Sequence, residues 1–157
     1  METAKDVEEY WQKKEEQLGE PVLYRSISHT FLPDLPDTFG ILFASAGTVV
    51  YEYAKGGRRS ILDVILSRKK DDELSETVHV PRKEIRRVAI VDACSAKQWL
   101  RRQLSPAQVL AGLETLRPSP LRNIFCGSHL VVCTPRLYMI CDTPENRKWL
   151  QLLKPQK

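Results

Sequence analysis

The stretch HLVVCTPRLYMICDTPENRKWLQLL, residues 129–153, decides how the rest of the chain is read. Leu130 and Val132 alternate with Val131 and Cys133, and Leu137 and Met139 with Tyr138 and Ile140, the period-2 signal of paired strands. Thr134-Pro135-Arg136 is the turn between them, because proline presets its own φ and has no N–H to give a ladder. A helix follows over 143–153, with Thr143 as N-cap, Pro144 in the first position and Glu145 in the first turn. Trp149, Leu150, Leu152 and Leu153 make its apolar stripe, and Lys154-Pro155 ends it. A helix that carries such a stripe must bury Trp149 on a sheet, and the hairpin just described is the nearest one.

Upstream of this unit the β pattern continues. EPVLYRSIS (20–28) alternates as a strand, and HTFLPDLPDTF (29–39) reads as a loop because of Pro33 and Pro36. GILFASA and TVVYEYA flank Gly47 as a hairpin, whose turn glycine is expected to take a positive φ. SILDVILSRKK (60–70) suits a strand or a helix, with the strand favoured for its β-branched residues. Thr77 to Val80 is a strand cut by Pro81, RKEIRR a short helical turn or bulge, and VAIVD a strand again. LRNIFCGS (121–128) reads as one more strand leading into the final hairpin.

Two segments break the pattern. Thr3 with Asp6 resembles a capping box, and Val7, Tyr10, Trp11 and Leu18 recur at helical spacing until Gly19, which predicts an amphipathic helix over 3–18. Residues 94–119 interrupt the strands with helices: Trp99, Leu100 and Leu104 lie near one face. Ser105-Pro106-Ala107-Gln108 is a helix start with proline at N1 and glutamine at N3. The expected organisation is an N-terminal helix at 1–19 and a domain at 20–157 with a helical insertion at about 94–119.

Composition sets the class. Among 157 residues 42% are apolar and 28% charged, as in an ordinary globular domain large enough to bury its own core. No run of about 18 apolar residues offers a membrane span, and the charged N-terminus lacks a signal-peptide core. The four cysteines (Cys94, Cys126, Cys133, Cys141) show no C-x-x-C spacing and are expected to be reduced and buried, in a cytoplasmic protein. Residues 1–20 carry a net −4 and the remainder +8. That basic body favours anionic partners, against the plainer reading of a solvated basic surface.

GILFASAGTVVYEYA, VHVPRKEIRRVAIVD and HLVVCTPRLYMICDTPENRKWLQLL together resemble segments of the pleckstrin-homology-like superfold, in its GRAM and bacterial PH-like branches. Val80-Pro81, Ile85 and Val88 match the strand-P-x-x-x-I-x-x-V spacing of those families. The resemblance implies an α+β fold: a bent antiparallel sheet or partly open barrel capped by the C-terminal helix. It also implies a binding module. The match departs from the family where Ser45-Ala46-Gly47-Thr48 lacks the arginine common in GRAM-like turns, and where the loop after the first strand is uncharged or acidic (Asp34, Asp37). Inositol-phosphate recognition therefore does not carry over.

The functional expectation is a non-enzymatic binding or scaffold module for an unidentified protein partner or a second copy of itself. Tyr10, Trp11, Trp99 and Leu100 are the candidate contacts, against the plain alternative that they belong to the core. The alternative is a peripheral membrane module using Arg58, Arg59, Arg68, Lys69 and Lys70 on anionic lipid, although Asp71-Asp72-Glu73 follow directly. Nucleic-acid binding is disfavoured, since Tyr51 and Tyr53 lie on an apolar hairpin rather than among bases. Cys126, His129 and Cys133 lack a second pair at ligand spacing, so no metal and no cofactor are expected. A small enzyme is the remaining alternative, without nucleophile, phosphate-loop or dinucleotide motifs to support it.

Overall fold

A computed structural model describes residues 2–33, 38–54, 75–116 and 120–154. The fold is α+β. In chain order the described elements are α1 (Glu2–Leu18), β1 (Tyr24–Phe31), β2 (Thr38–Ala44), β3 (Thr48–Ala54), β4 (Ser75–Pro81), a 3-10 turn (Arg82–Glu84) and β5 (Arg87–Asp92). Then come α2 (Ala93–Arg101), α3 (Pro106–Thr115), α4 (Pro120–Cys126), β6 (Ser128–Cys133), β7 (Tyr138–Asp142) and α5 (Asn146–Leu153). The strands are hydrogen-bonded in the order β4-β3-β2-β1-β7-β6-β5 and the sheet is not closed.

The chain divides into two compact units, Met1–Ile27 with Thr38–Arg82, and Ser28–Asp37 with Lys83–Lys157. In the first, β2 and β3 pair as expected, with Phe43 opposite Val50 and Ala44 opposite Val49. Strand β4 then lies on β3 with Glu52 opposite Thr77. Gly40 is required here, because a Cβ would collide with the Glu52 carbonyl across the ladder. Gly47, by contrast, is not left-handed. Its N–H donates to Glu20 Oε2 at 3.0 Å, and the positive φ falls instead on Gly19 at the end of α1 and on Gly127. Tyr10 and Trp11 seat α1 against Ile41, Phe43, Val50 and Ala54.

In the second unit β6 pairs with both β5 and β7, and alternation gives its sheet two buried faces. Val91, Val131, Cys133, Tyr138 and Ile140 point at Trp99 of α2 and at Val109 and Leu113 of α3. The opposite face carries Leu130, Val132, Met139 and Cys141, none of them exposed, and α5 packs on β5 and β6 with Trp149 fully buried. Helix α3 starts as the sequence predicts, with the reciprocal Ser105–Gln108 capping box and Pro106 behind it.

Three local expectations fail. The last helix starts at Asn146, not Thr143: the Asn146 Oδ1 accepts from the Thr143 N–H (3.2 Å) and bonds its hydroxyl (2.7 Å), which holds Thr143-Pro144-Glu145 as a turn. β1 continues to Phe31, where a loop was expected after Ser28. Leu121 to Cys126 is a helix rather than a strand, since Pro120 can open a helix but cannot give its nitrogen to a ladder. The segment at 60–70 lies outside the described residues.

Candidate functional site

Helix α4 has its apolar side facing out. Leu121, Ile124 and Phe125 fall at i, i+3 and i+4, one stripe of a 3.6-residue helix, and are 66%, 75% and 84% exposed. Cys126 lies about 150° round the helix from that stripe. It is bonded to Cys94 of α2, with Cα atoms 5.8 Å apart. The helix is thus tied down by one side and shows its hydrophobic side to solvent, the reverse of ordinary amphipathic packing. Among the described residues Phe125 and Ile124 are the two most exposed large apolar side chains, and Leu121 equals Ile27 at 66%.

Only two of the four cysteines are the reduced, buried thiols expected. Cys94 and Cys126 form a disulfide across 32 positions of sequence, a pairing no local spacing reveals. Cys133 and Cys141 are the free, buried thiols of the expectation, and burial raises them to about 11 and about 12 respectively.

Charge accompanies the apolar stripe. Residues 93–126 hold five bases (Lys97, Arg101, Arg102, Arg117, Arg122) and one acid (Glu114), a net +4. Cys94, Lys97 and Arg101 stand at i, i+3 and i+7, so the edge of α2 that holds the disulfide also carries two exposed cations. The arrangement combines protruding hydrophobic side chains with neighbouring positive charge, on a helix whose orientation is fixed covalently.

Of the residues singled out from sequence, Arg58, Arg59, Arg68, Lys69 and Lys70 lie outside the described residues. Tyr10, Trp11 and Trp99 are in the two cores, 7–9% exposed, and Leu100 packs partly buried beside Trp99. Arg25 covers the remaining face of Trp11 at 4.4 Å from the ring centroid. Little of these rings is left for a partner.

Glu52 escaped the sequence reading, and His129 entered it only as a rejected metal ligand. In the first unit Glu52 is fully buried, on the face of β3 that meets α1, where it shares parity with Val50 and Ala54. Its carboxylate takes the Lys14 ammonium at 3.0 Å, the Ser75 hydroxyl at 2.9 Å and the Tyr10 hydroxyl. A cavity of about 150 Å³ adjoins this cluster, with Gln17, Thr77 and His79 on its wall. Every oxygen of Glu52 is engaged, so the cluster reads as a latch that holds α1 in place. The alternation of TVVYEYA was its visible signal, since a carboxylate there falls on the apolar side.

In the second unit His129 is buried, and neither ring nitrogen has a hydrogen-bond partner. Desolvation holds its imidazole below the usual histidine range. The Asp142 carboxylate, 3.9 Å from Nδ1, opposes this, while Lys97 and His29 reinforce it. The unfolded chain therefore binds this proton more readily than the folded one. Stability is complete above the unfolded value of about 6.5 and declines as pH falls below it. His129→Leu is expected to reduce the loss in urea midpoint between pH 7.5 and 5.5; equal losses in parent and variant would contradict this.

No family model matches the chain, and no curated protein does. Among solved structures it is similar to the crystal structure of the C-terminal domain of an unknown protein from Leishmania infantum, at 10% identity and a TM-score of 0.47, covering 95% of this chain and 99% of that one. A likeness at that level carries no inference about fold relationship or activity. No described helix is long and apolar enough to cross a membrane.

Proposed function

We propose that the protein is a PH-like, non-enzymatic binding module that docks on anionic membrane surfaces through α4 and the bases of the 93–126 segment. The observation that supports this is the outward stripe Leu121-Ile124-Phe125 within a segment of net +4. Three side chains on one short helix offer a few hundred Å², well below the roughly 800 Å² per partner of a stable protein interface. A bilayer needs no matching pocket: apolar side chains enter the acyl boundary while the bases attract anionic head groups, at about 1 kcal/mol each. This moves the lipid contact from the 58–70 loop expected from sequence to the helical insertion.

Co-sedimentation with vesicles containing phosphatidylserine tests the reading. Binding is expected to weaken as salt rises and to be absent on neutral phosphatidylcholine. Leu121→Ser/Ile124→Ser/Phe125→Ser removes about 1 kcal/mol per side chain and is expected to lower affinity by about 100-fold. Equal binding by parent and variant would refute it. A second reading, a protein-directed contact, is favoured by Leu23, Ile27 and Phe39 of the first unit, which are 53%, 66% and 61% exposed. Concentration-dependent light scattering that Ile27→Ser/Phe39→Ser abolishes would support that reading instead.

A further inference from the structure

We infer that Asp92, Cys94 and Cys126 form a binding site for a thiophilic divalent cation, Zn²⁺ by its ligand chemistry, once the disulfide is reduced. This stands independently of the membrane reading. One carboxylate oxygen of Asp92 and the two sulfurs all lie within 4.8 Å of one another. Backbone hydrogen bonds as well as the S–S bond hold the two cysteine-bearing segments together. Asp92 is opposite Ser128 in the β5–β6 ladder, and the Ala93 N–H donates to the Gly127 carbonyl at 2.9 Å. Cys94 and Cys126 therefore sit two residues beyond the same ladder pair, one in α2 after β5 and one in α4 before β6. Gly127, at φ 73°, makes the bend that brings α4 back to this point.

The geometry suits a cation as well as a covalent bond. Tetrahedral zinc at about 2.3 Å from each thiolate holds the two sulfurs about 3.8 Å apart. Side-chain rotation can supply that separation at the observed Cα distance of 5.8 Å. Asp92 is held in place as the N-cap of α2: its Oδ2 accepts the Ser95 N–H and its Oδ1 the Ser95 hydroxyl, both at 2.8 Å. A carboxylate so held keeps lone pairs free for a metal, and second-sphere bonds of this kind are the usual support of a metal-binding carboxylate. Two thiolates and a carboxylate select zinc over calcium or magnesium, which prefer oxygen alone. Cys94 is exposed, so a reductant has access. Three protein ligands leave the fourth position to water.

The exchange balances. An external dithiol donates two electrons and two protons, closing to its own disulfide as the Cys94–Cys126 bond opens to two thiols. Each thiol then loses a proton to solvent as its sulfur bonds the cation. Oxidation reverses both steps and releases the metal. The same two side chains would thus tether α4 in either redox state.

The test is cobalt titration of the full chain, reduced with a phosphine under argon. One equivalent of Co²⁺ is expected to give thiolate-to-cobalt charge-transfer absorption, displaced by Zn²⁺, with two protons released. The oxidised protein and Cys94→Ser/Cys126→Ser should give none. Asp92→Asn, which keeps a competent N-cap, should weaken binding at least tenfold. Zinc should also protect both thiols from iodoacetamide, read as mass. A reduced parent without the charge-transfer band would overturn the inference, as would a double variant that retains it.

Discussion

Trp149→Ala is expected to lower the unfolding free energy by about 3–5 kcal/mol in a urea titration followed by circular dichroism. Trp149 has no exposed surface and heads the fully buried side chains by volume. It lies on α5, which packs on β5 and β6, beside Leu153 at 3% exposure. Removing an indole from such a site forfeits its transfer free energy and leaves a cavity that a sheet, already paired along β6 on both sides, cannot collapse to fill. Capping adds little to it: its N-cap Glu145 makes no side-chain capping bond, and its first turn contains no acid. A cost under about 1 kcal/mol would mean that α5 is peripheral to the fold.

The second large effect belongs to the other unit. Glu52→Ala is expected to cost about 3–5 kcal/mol, because it strands the Lys14 ammonium in a site 7% exposed and removes the carboxylate that the Tyr10 and Ser75 hydroxyls donate to. The intact pair is a poor stabiliser, since burial cancels much of its attraction; its effect is to fix where α1 sits. Two further variants separate these roles. Glu52→Gln keeps an acceptor and the packing, and should cost less than alanine. Lys14→Met/Glu52→Ala removes the orphaned charge and should cost clearly less than the sum of its single changes, the signature of coupled neighbours. Strict additivity would show that Lys14 and Glu52 do not interact across 3.0 Å as drawn.

What the sequence revealed, and what it hid, follows from how local each signal is. The β2–β3 hairpin, the Pro81 break, the Ser105 cap and the final β6–β7 hairpin were legible because each depends on residues within a few positions of one another. The α+β class came with the resemblance those segments carry, which left a bent antiparallel sheet and a partly open barrel as alternatives; the sheet is not closed. Helix α4 was misread for a physical reason. Leu121, Ile124 and Phe125 do stand at the helical i, i+3, i+4 spacing and Pro120 is a helix-start residue, but the segment is only seven residues long and runs straight into the β6–β7 hairpin, so it was read as part of the strands. The disulfide joins positions 32 apart and leaves no mark on local spacing. The surroundings of His129 and Glu52 were hidden likewise, since Asp142 lies on β7 and Lys14 on α1, although the alternation of TVVYEYA put Glu52 on the apolar side.

The central claim is that the outward face of α4 enters an anionic bilayer, and Phe125→Trp measures this directly. The emission of the added indole is obtained by subtracting the parent's spectrum. On addition of phosphatidylserine vesicles it should shift to the blue and be quenched by lipids brominated near the top of the acyl chain. If the variant pellets with the vesicles while that emission stays unshifted and unquenched, α4 faces water in the bound state and the account is wrong.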